Sequence, residues 1–151
     1  GVIRPSFYNH FQDKYELMEW IIKTELLEPI KPLLNAGMIF EAIVLMLNNI
    51  SANSVFYKKA LKLEGAVTFN QIAMKCVYEM FMNIISEKST GKKSKYRWLT
   101  PEVISTYYAQ SLCFITEGWI AQGMDDIEPK EMAEAYMYLI TRSMDDILSE
   151  L

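Results

Sequence analysis

Apolar side chains recur every three to four positions along most of this chain, and that spacing constrains its fold more than any other feature. The stretch from residue 69 to about residue 87 shows one wide apolar stripe, which is the pattern of one helix face. The chain contains only 6 Gly and 5 Pro, and strand-like alternation is hard to find. The sequence therefore predicts an all-α fold.

Capping residues and prolines set the expected ends of the helices. Asp13 and Glu16 have the spacing of a capping box, so a helix should begin at Asp13. Pro29 and Pro32 should end it, because proline cannot donate a backbone hydrogen bond within a helix. After a break at residues 35–37, later helices are expected over residues 40–47, 55–63, 69 to about 87, 100 to about 122, and 129 nearly to 151. Thr100 should cap the helix that starts at residue 100, with Pro101 in its first turn.

Charge is spread unevenly along the chain, whose formal net charge is −4. Residues 1–101 carry a net charge of +4, and residues 102–151 carry −8. Acidic charge repels a phosphate backbone, so a DNA contact should lie outside the last third. Residues 86–97 hold five basic residues and should form a solvated loop; a supplementary DNA or nucleotide contact is the alternative.

The sequence lacks the combinations of residues that most enzymes and metal sites need. His10 is the only histidine, so a histidine-rich metal site cannot form. No Ser-His-Asp or Cys-His set has the partners that it needs. Cys76 and Cys113 lie within apolar helical patterns, which indicates buried, reduced thiols of a cytoplasmic protein. No apolar run is long enough to span a bilayer. We expect no enzyme, no membrane protein, no metal and no cofactor.

The first eighteen residues have the layout of the second half of a helix-turn-helix motif. Gly1 permits a tight turn, and Val2, Phe7 and Phe11 would pack a short helix against its neighbours. The remaining side chains suit DNA, because arginine and asparagine bond base edges and hydroxyl groups bond phosphates. The candidate DNA-binding residues are Arg4, Pro5, Ser6, Tyr8, Asn9, His10 and Lys14. The alternative places Tyr8 and His10 with the two phenylalanines in an aromatic core.

The string G-V-x-R-x-S-F-Y-N-H-F-x-D-K-x-x-L resembles a segment of the TetR family of bacterial transcription regulators. On that resemblance Ser6, Tyr8 and Lys14 would contact phosphates, and the other four candidates would lie nearest the base edges. Ile3 departs from the small polar residue that the family often has there. The resemblance implies a DNA-binding domain over residues 1–30, whose first helices we expect to be missing. A helical effector-sensing and dimerisation domain would follow over residues 31–151.

The last two long helices carry apolar stripes wide enough to be buried on more than one side. In the TetR family the corresponding helices of two subunits form a four-helix bundle, so the resemblance implies a homodimer that binds a double-stranded DNA operator. A monomer whose own helices cover both faces is the alternative. The expected interface residues are Tyr107, Tyr108, Ile115, Trp119, Tyr136, Met137, Ile140, Met144 and Ile147.

The sequence leaves the nature of the effector open. Ten methionines and many aromatic residues would suit an adaptable pocket, but such residues at helical spacing more often form the core. No ligand-binding residue stands out, so the effector is an unknown small molecule or a partner protein. The chain faintly resembles the TetR branch associated with dihydroxyacetone kinase operons. Repression is commoner than activation in the family, and the competing hypothesis is a helical protein–protein interaction module that never binds DNA.

Overall fold

Helices form all the regular secondary structure of residues 13–151, the part of the chain that the computed structural model describes. The expected all-α class is confirmed for this part. Residues 1–12, with six of the seven candidate DNA-binding residues, lie outside it. The helices are α1 (Lys14–Ile21), α2 (Lys31–Asn35), α3 (Ile39–Ala52), α4 (Ser54–Leu61), α5 (Phe69–Lys88), α6 (Pro101–Ala121), α7 (Pro129–Thr141) and α8 (Met144–Glu150).

Helix α1 begins where its capping residue predicts. Asp13 has extended backbone angles, and its Oδ1 accepts a hydrogen bond from the backbone N–H of Glu16 at 2.8 Å. An acidic cap also interacts favourably with the positive end of the helix dipole. The predicted start of this helix is therefore confirmed.

The prediction that Pro29 and Pro32 end the first helix is wrong. Helical winding continues from α1 through a wide turn over Ile22–Leu27 and a tight turn over Glu28–Ile30 into α2. Each proline lies in the first turn of a new short segment, where the missing N–H has no helical acceptor to lose. The chain therefore changes its winding here instead of leaving the helix.

Gly37 ends this long segment. The backbone N–H of Met38 donates to the Leu33 carbonyl at 2.8 Å, and that of Gly37 donates to the Leu34 carbonyl at 3.0 Å. This is the Schellman arrangement, which needs a left-handed residue just past the helix end. Gly37 adopts it with φ +77°, so the break expected near this position is confirmed.

Helices α3 and α4 meet at Asn53 with a bend of 90° between their axes. Together they have the length and apolar composition of a bilayer span, whereas no single helix of the described residues does. The bend carries Tyr57 of α4 into the core, where its side chain is fully buried.

The most extensive helix packing joins α5 to α6 and α3 to α7. A capping box starts α5: the Thr68 N–H donates to Gln71 Oε1 at 2.8 Å, and the Gln71 N–H donates to Thr68 Oγ1 at 3.3 Å. Thr100 caps α6 through the Val103 N–H, with Pro101 in its first turn as predicted. The largest fully buried side chains include Trp119, Tyr57, Ile22, Ile30, Leu47, Ile50 and Ile120.

The last helix does not run unbroken to the end of the chain, so that prediction is corrected. Arg142 is extended (φ −111°, ψ 149°), and α8 starts afresh after Ser143. The Ser143 Oγ accepts from the Asp146 N–H at 3.1 Å. A serine cap followed by Asp145 and Asp146 in the first turn stabilises a new helix start more than a continued helix.

Candidate ligand cavity and exposed aromatic face

Lys14 is the candidate DNA-binding residue that the structure describes. It is exposed at the first position of α1, and its Nζ lies 5.3 Å from the ring centroid of Tyr15. A cation over a ring face is weakly attracted by the ring electrons. The ammonium group therefore lies at the exposed start of α1. The other candidate DNA-binding residues precede Lys14 in the sequence, at positions 4–10.

Ion pairs join α1 and the wide turn after it to α5. Lys23 Nζ lies 2.9 Å from Glu19 Oε1 and 3.1 Å from Glu79 Oε2, and Lys75 Nζ lies 3.2 Å from Glu19 Oε1. The hydrogen bond from Lys23 is the main reason why the pKa of Glu19 lies below its usual value. The same bond raises the pKa of Lys23. Helix α1 and the wide turn after it are thus held to α5 by charge as well as by packing.

The wide turn is also tied to α3 and α4 through Glu25. The buried Tyr57 donates its hydroxyl to Glu25 Oε2 at 3.4 Å, and Asn49 Nδ2 donates to the Glu25 carbonyl at 3.3 Å. Burial is the main cause of the raised pKa of Tyr57. A buried hydroxyl needs a hydrogen-bond partner. The Tyr57–Glu25 bond therefore holds the wide turn against α4.

A cavity of about 210 Å³ lies inside the helical domain. Helices α3, α5, α6 and α7 line it together with the segment that continues α1. Its lining is almost entirely apolar, because aliphatic and aromatic side chains make nearly all of the wall. The lining residues are Ile30, Leu34, Ile39, Ala42, Ile43, Met46, Met80, Phe81, Tyr108, Leu112, Tyr136 and Ile140.

The hydroxyl of Tyr136 is occupied at the edge of this cavity. Ser111 Oγ donates to the Tyr108 carbonyl at 2.9 Å, so its single proton is already used. Tyr136 must therefore donate to Ser111 Oγ, which lies 2.9 Å from its hydroxyl oxygen. Burial is the main cause of the raised pKa of Tyr136. The tyrosine thus presents mainly its ring to the cavity.

This lining selects for an uncharged and largely apolar occupant. None of the lining side chains carries a formal charge, and transferring an unpaired ion into such surroundings is costly. An apolar cavity of roughly 150 Å³ holds benzene. The cavity here is therefore large enough for a compact bicyclic molecule.

One face of α6 exposes aromatic side chains to solvent. Tyr107 is 63% exposed and Phe114, seven residues later on the same face, is 74% exposed. Beside the first half of α6 lies an open groove of about 660 Å³, whose wall includes Trp98, Leu99 and Val103. Trp98 is 75% exposed. Large exposed apolar patches of this kind mark sites of protein association.

The structure separates the expected interface residues into two groups. Trp119 and Tyr136 are 2% and 3% exposed, so they belong to the core of a single chain and not to a contact surface. Trp119 donates its Nε1–H to the Ile127 carbonyl at 2.8 Å and so holds the turn between α6 and α7. The residues with exposed or half-exposed side chains are Tyr107, Tyr108, Ile115, Met137, Ile140, Met144 and Ile147.

The sequence analysis did not include Phe114 in the interface, nor did it name the cavity residues. Phe114 lies two helical turns from Tyr107, so the spacing alone could have placed both on one face. The cavity depends on the packing of helices that are far apart in sequence. No periodicity within one helix could reveal it.

Both cysteines are buried, as predicted. Burial is the main cause of their raised pKa values, about 11 for Cys76 and about 12 for Cys113. Such thiols are protonated at neutral pH and are poor nucleophiles. Across residues 13–151, no group of three or more His, Cys, Asp or Glu side chains could hold a metal ion.

The chain is similar to known transcription regulators. A TetR-type family described as the transcriptional regulator C-terminal region matches residues 38–142, which include the cavity-lining helices and the exposed face of α6. A relative from Lactococcus lactis subsp. lactis (strain IL1403), the HTH-type dhaKLM operon transcriptional activator DhaS, is 28% identical over 122 residues. That match covers 80% of this chain and 63% of the relative. The chain belongs to the TetR family of transcriptional regulators.

Proposed function

We propose that this protein binds operator DNA as a homodimer and that an effector in the helical domain controls that binding. Family membership carries this proposal, because it joins the DNA-binding pattern of residues 1–18 to a domain that has an apolar cavity and an exposed aromatic face. DNA binding would reside in residues 1–30, and sensing and dimerisation in residues 31–151. Such a protein would work in the cytoplasm, where its thiols stay reduced.

The DNA-binding part of the proposal rests on Arg4, Pro5, Ser6, Tyr8, Asn9, His10 and Lys14. Its test measures how the natural gene product binds the promoter upstream of its own gene as salt is raised. Affinity should fall steeply with salt, because phosphate contacts release counterions. Arg4→Ala should weaken binding by about 5- to 150-fold, since a good base contact contributes roughly 1–3 kcal/mol.

Arg142→Ala provides the matched control, because Arg142 lies in the acidic third of the chain with its guanidinium over the Tyr138 ring. Its affinity for DNA should be unchanged. If the natural gene product fails to bind DNA even at low salt, the protein-interaction module becomes the better interpretation. Equal losses in both arginine variants would also contradict the assignment.

The dimer would form through the exposed face of α6 and the neighbouring surface of α7. Tyr107 and Phe114 lie on that face, with Met137 and Ile140 half-exposed on α7. Paired subunits suit DNA, because two recognition helices can then occupy half-sites about one helical turn apart. Light scattering should give twice the 17.5 kDa of one chain.

Phe114→Glu should shift the protein to the monomer, because a charge would be buried in an apolar contact. Val55→Glu is the matched control: Val55 is 66% exposed and lies on α4, which the proposed contact does not include. It should leave the dimer intact. A monomer for the unsubstituted protein at micromolar concentration would contradict the proposed dimer.

The cavity would hold a small, uncharged and largely apolar effector. Ile30 and Leu34 of its wall belong to the segment that continues α1, while Tyr108 and Leu112 belong to α6. An occupant therefore touches both the segment attached to the DNA-binding part and a helix of the proposed dimer contact. Occupation would shift the population between two spacings of the DNA-binding parts.

A thermal-shift titration with indole, an uncharged bicyclic probe, tests the cavity. The probe should raise Tm, since it binds only the folded protein. Ala42→Met should abolish the shift by filling the cavity, because Ala42 is fully buried in its wall. Ala52→Met, at an exposed position of the same helix, should leave it unchanged. An absent or unaltered shift would favour control by a partner protein.

The relative suggests a class of target gene. Its name assigns it to the dhaKLM operon as an activator, and we propose that this protein likewise controls dihydroxyacetone kinase genes. A reporter fused to the promoter of such genes in the same genome should change its output when the regulator is deleted. A fall would show activation and a rise would show repression, whereas no change would exclude this target.

A further inference from the structure

The C-terminal helix α8 has an apolar stripe that its own chain leaves uncovered. Met144, Ile147, Leu148 and Leu151 follow the spacing of one helix face. Met144, Leu148 and Leu151 are 74%, 57% and 94% exposed. Within Met144–Glu150, only Ile147 is even half-buried. A seven-residue helix is not stable in water without packing against another surface, so α8 needs a partner surface.

The groove beside α6 offers an apolar surface of the required kind. Trp98, Leu99, Val103 and Tyr107 contribute to its wall, and Trp98 and Tyr107 are among the most exposed aromatic side chains described. Glu102 is the acidic residue of this wall. The groove could therefore bury the stripe of a short amphipathic helix.

Charge makes the groove and α8 complementary. The loop that leads into the groove carries Lys92, Lys93, Lys95 and Arg97, all exposed. None of these four forms an ion pair with another described residue. Helix α8 carries Asp145, Asp146 and Glu150, also exposed. Opposite charges at the rim of an interface favour one partner and one orientation.

Within one chain, α8 is held to α7 through Glu150, near the C-terminal end of its polar side. Glu150 Oε2 accepts a hydrogen bond from the hydroxyl of Tyr138 on α7, and the Arg142 guanidinium lies over the Tyr138 ring. These contacts use the polar side of α8 and leave the apolar stripe outward. The stripe is thus presented to another molecule.

We propose that α8 of one copy docks in the Trp98–Tyr107 groove of a second copy, with Asp145 and Asp146 against the basic loop of residues 92–97. The exchange is reciprocal, since each chain carries both surfaces, and this symmetry is typical of twofold dimers. The inference rests on the proposed homodimer and adds α8 and the groove to its contact surface. Helix α8 then acts as a clasp whose strength depends on salt.

Cross-linking between differently labelled chains tests the contact directly. One chain carries Thr106→Cys in the groove wall, a second carries Leu148→Cys on the stripe, and a short bismaleimide is added to their mixture. The native cysteines are buried and should not react. A heterodimeric product should form with Thr106→Cys and not with Val55→Cys, whose position lies on α4. Equal yields or no product from either pair would overturn the proposal.

A single chain with both cysteines distinguishes docking on a second copy from docking on itself. If the cross-link forms within one chain, the docking of a second copy is overturned. Light scattering of the unsubstituted protein tests the homodimer independently of the docking of α8. A monomer there contradicts the homodimer itself, while a stable dimer without the cross-link contradicts only the docking of α8.

Charge reversal supplies the second test. Lys95→Glu with Arg97→Glu should raise the dimer dissociation constant about three- to tenfold at low salt, and Asp145→Lys with Asp146→Lys should do the same. Combining all four substitutions should restore the dimer, because the attraction is re-established with reversed sign. The differences should shrink at high salt, where charges are screened. Absence of restoration would overturn the charge pairing.

Discussion

Glu19 on α1 and Lys75 on α5 form an ion pair across 56 positions of sequence, with 3.2 Å between Glu19 Oε1 and Lys75 Nζ. Lys23 lies against the same carboxylate at 2.9 Å and reaches Glu79 at 3.1 Å. The helix next to the proposed DNA-binding residues is therefore attached by charge to a long helix of the cavity wall. This attachment is a physical link between the two proposed functions.

We expect Glu19→Gln to lower the free energy of unfolding by about 0.5–1 kcal/mol at pH 7, because partly exposed ion pairs contribute little each. The pKa of Glu19 is held below its usual 4.5. The contribution is therefore fully present above that value and is lost as pH falls through the lowered pKa. Urea titrations across the pH range should show the two proteins converging in acid, whereas a constant difference would contradict the linkage. Glu41→Gln, at an exposed position of α3, is the control.

Gly65→Ala should destabilise the protein by about 1–3 kcal/mol, the range for a strained backbone position. Gly65 has φ +132°, and an added Cβ would lie 2.5 Å from the Tyr15 hydroxyl oxygen. The backbone strain remains whatever Tyr15 does, but the clash can be relieved. Thermal unfolding of Gly65→Ala in a Tyr15→Phe background should recover part of the loss. No recovery would mean that backbone strain alone accounts for it.

Trp119→Phe should cost about 2–3 kcal/mol. The substitution removes the hydrogen bond from Trp119 Nε1 to the Ile127 carbonyl and leaves a void in the core. Chemical denaturation measures the loss, and Val55→Ala on α4 is the control because Val55 is 66% exposed. The control should stay within about 0.5 kcal/mol of the unsubstituted protein. Equal losses would contradict the assignment of Trp119 to the core.

The native protein should resist thiol reagents at pH 8. Burial raises the pKa of Cys76 from 9.0 to about 11, which lowers its thiolate fraction at pH 8 by about a hundredfold. The higher pKa of Cys113 protects it further. Mass spectrometry should find both cysteines unlabelled until the protein unfolds, while Ser149→Cys on the exposed α8 reacts promptly. Labelling of the native cysteines at that same rate would contradict their burial.

Local chemistry accounts for the features that could be predicted correctly. The Asp13 cap, the Thr100–Pro101 start of α6 and the break at Gly37 each depend on groups within a few residues. The error at Pro29 and Pro32 has a related cause. Proline is disfavoured in a helix interior but is accepted in the first turn of a new helical segment. The sequence alone does not say whether a new helical segment will start at Pro29 or Pro32.

The sequence by itself determined the all-α class, the resemblance to TetR regulators and the division of charge between the two parts of the chain. Those properties follow from residue types and short spacings. Only the tertiary structure decided that Trp119 and Tyr136 belong to the core while Tyr107 and Phe114 face solvent. It also decided that Ala42, Met80 and Leu112 share one cavity. An apolar stripe indicates that a helix face prefers burial, but which neighbour covers it depends on contacts between residues far apart in sequence.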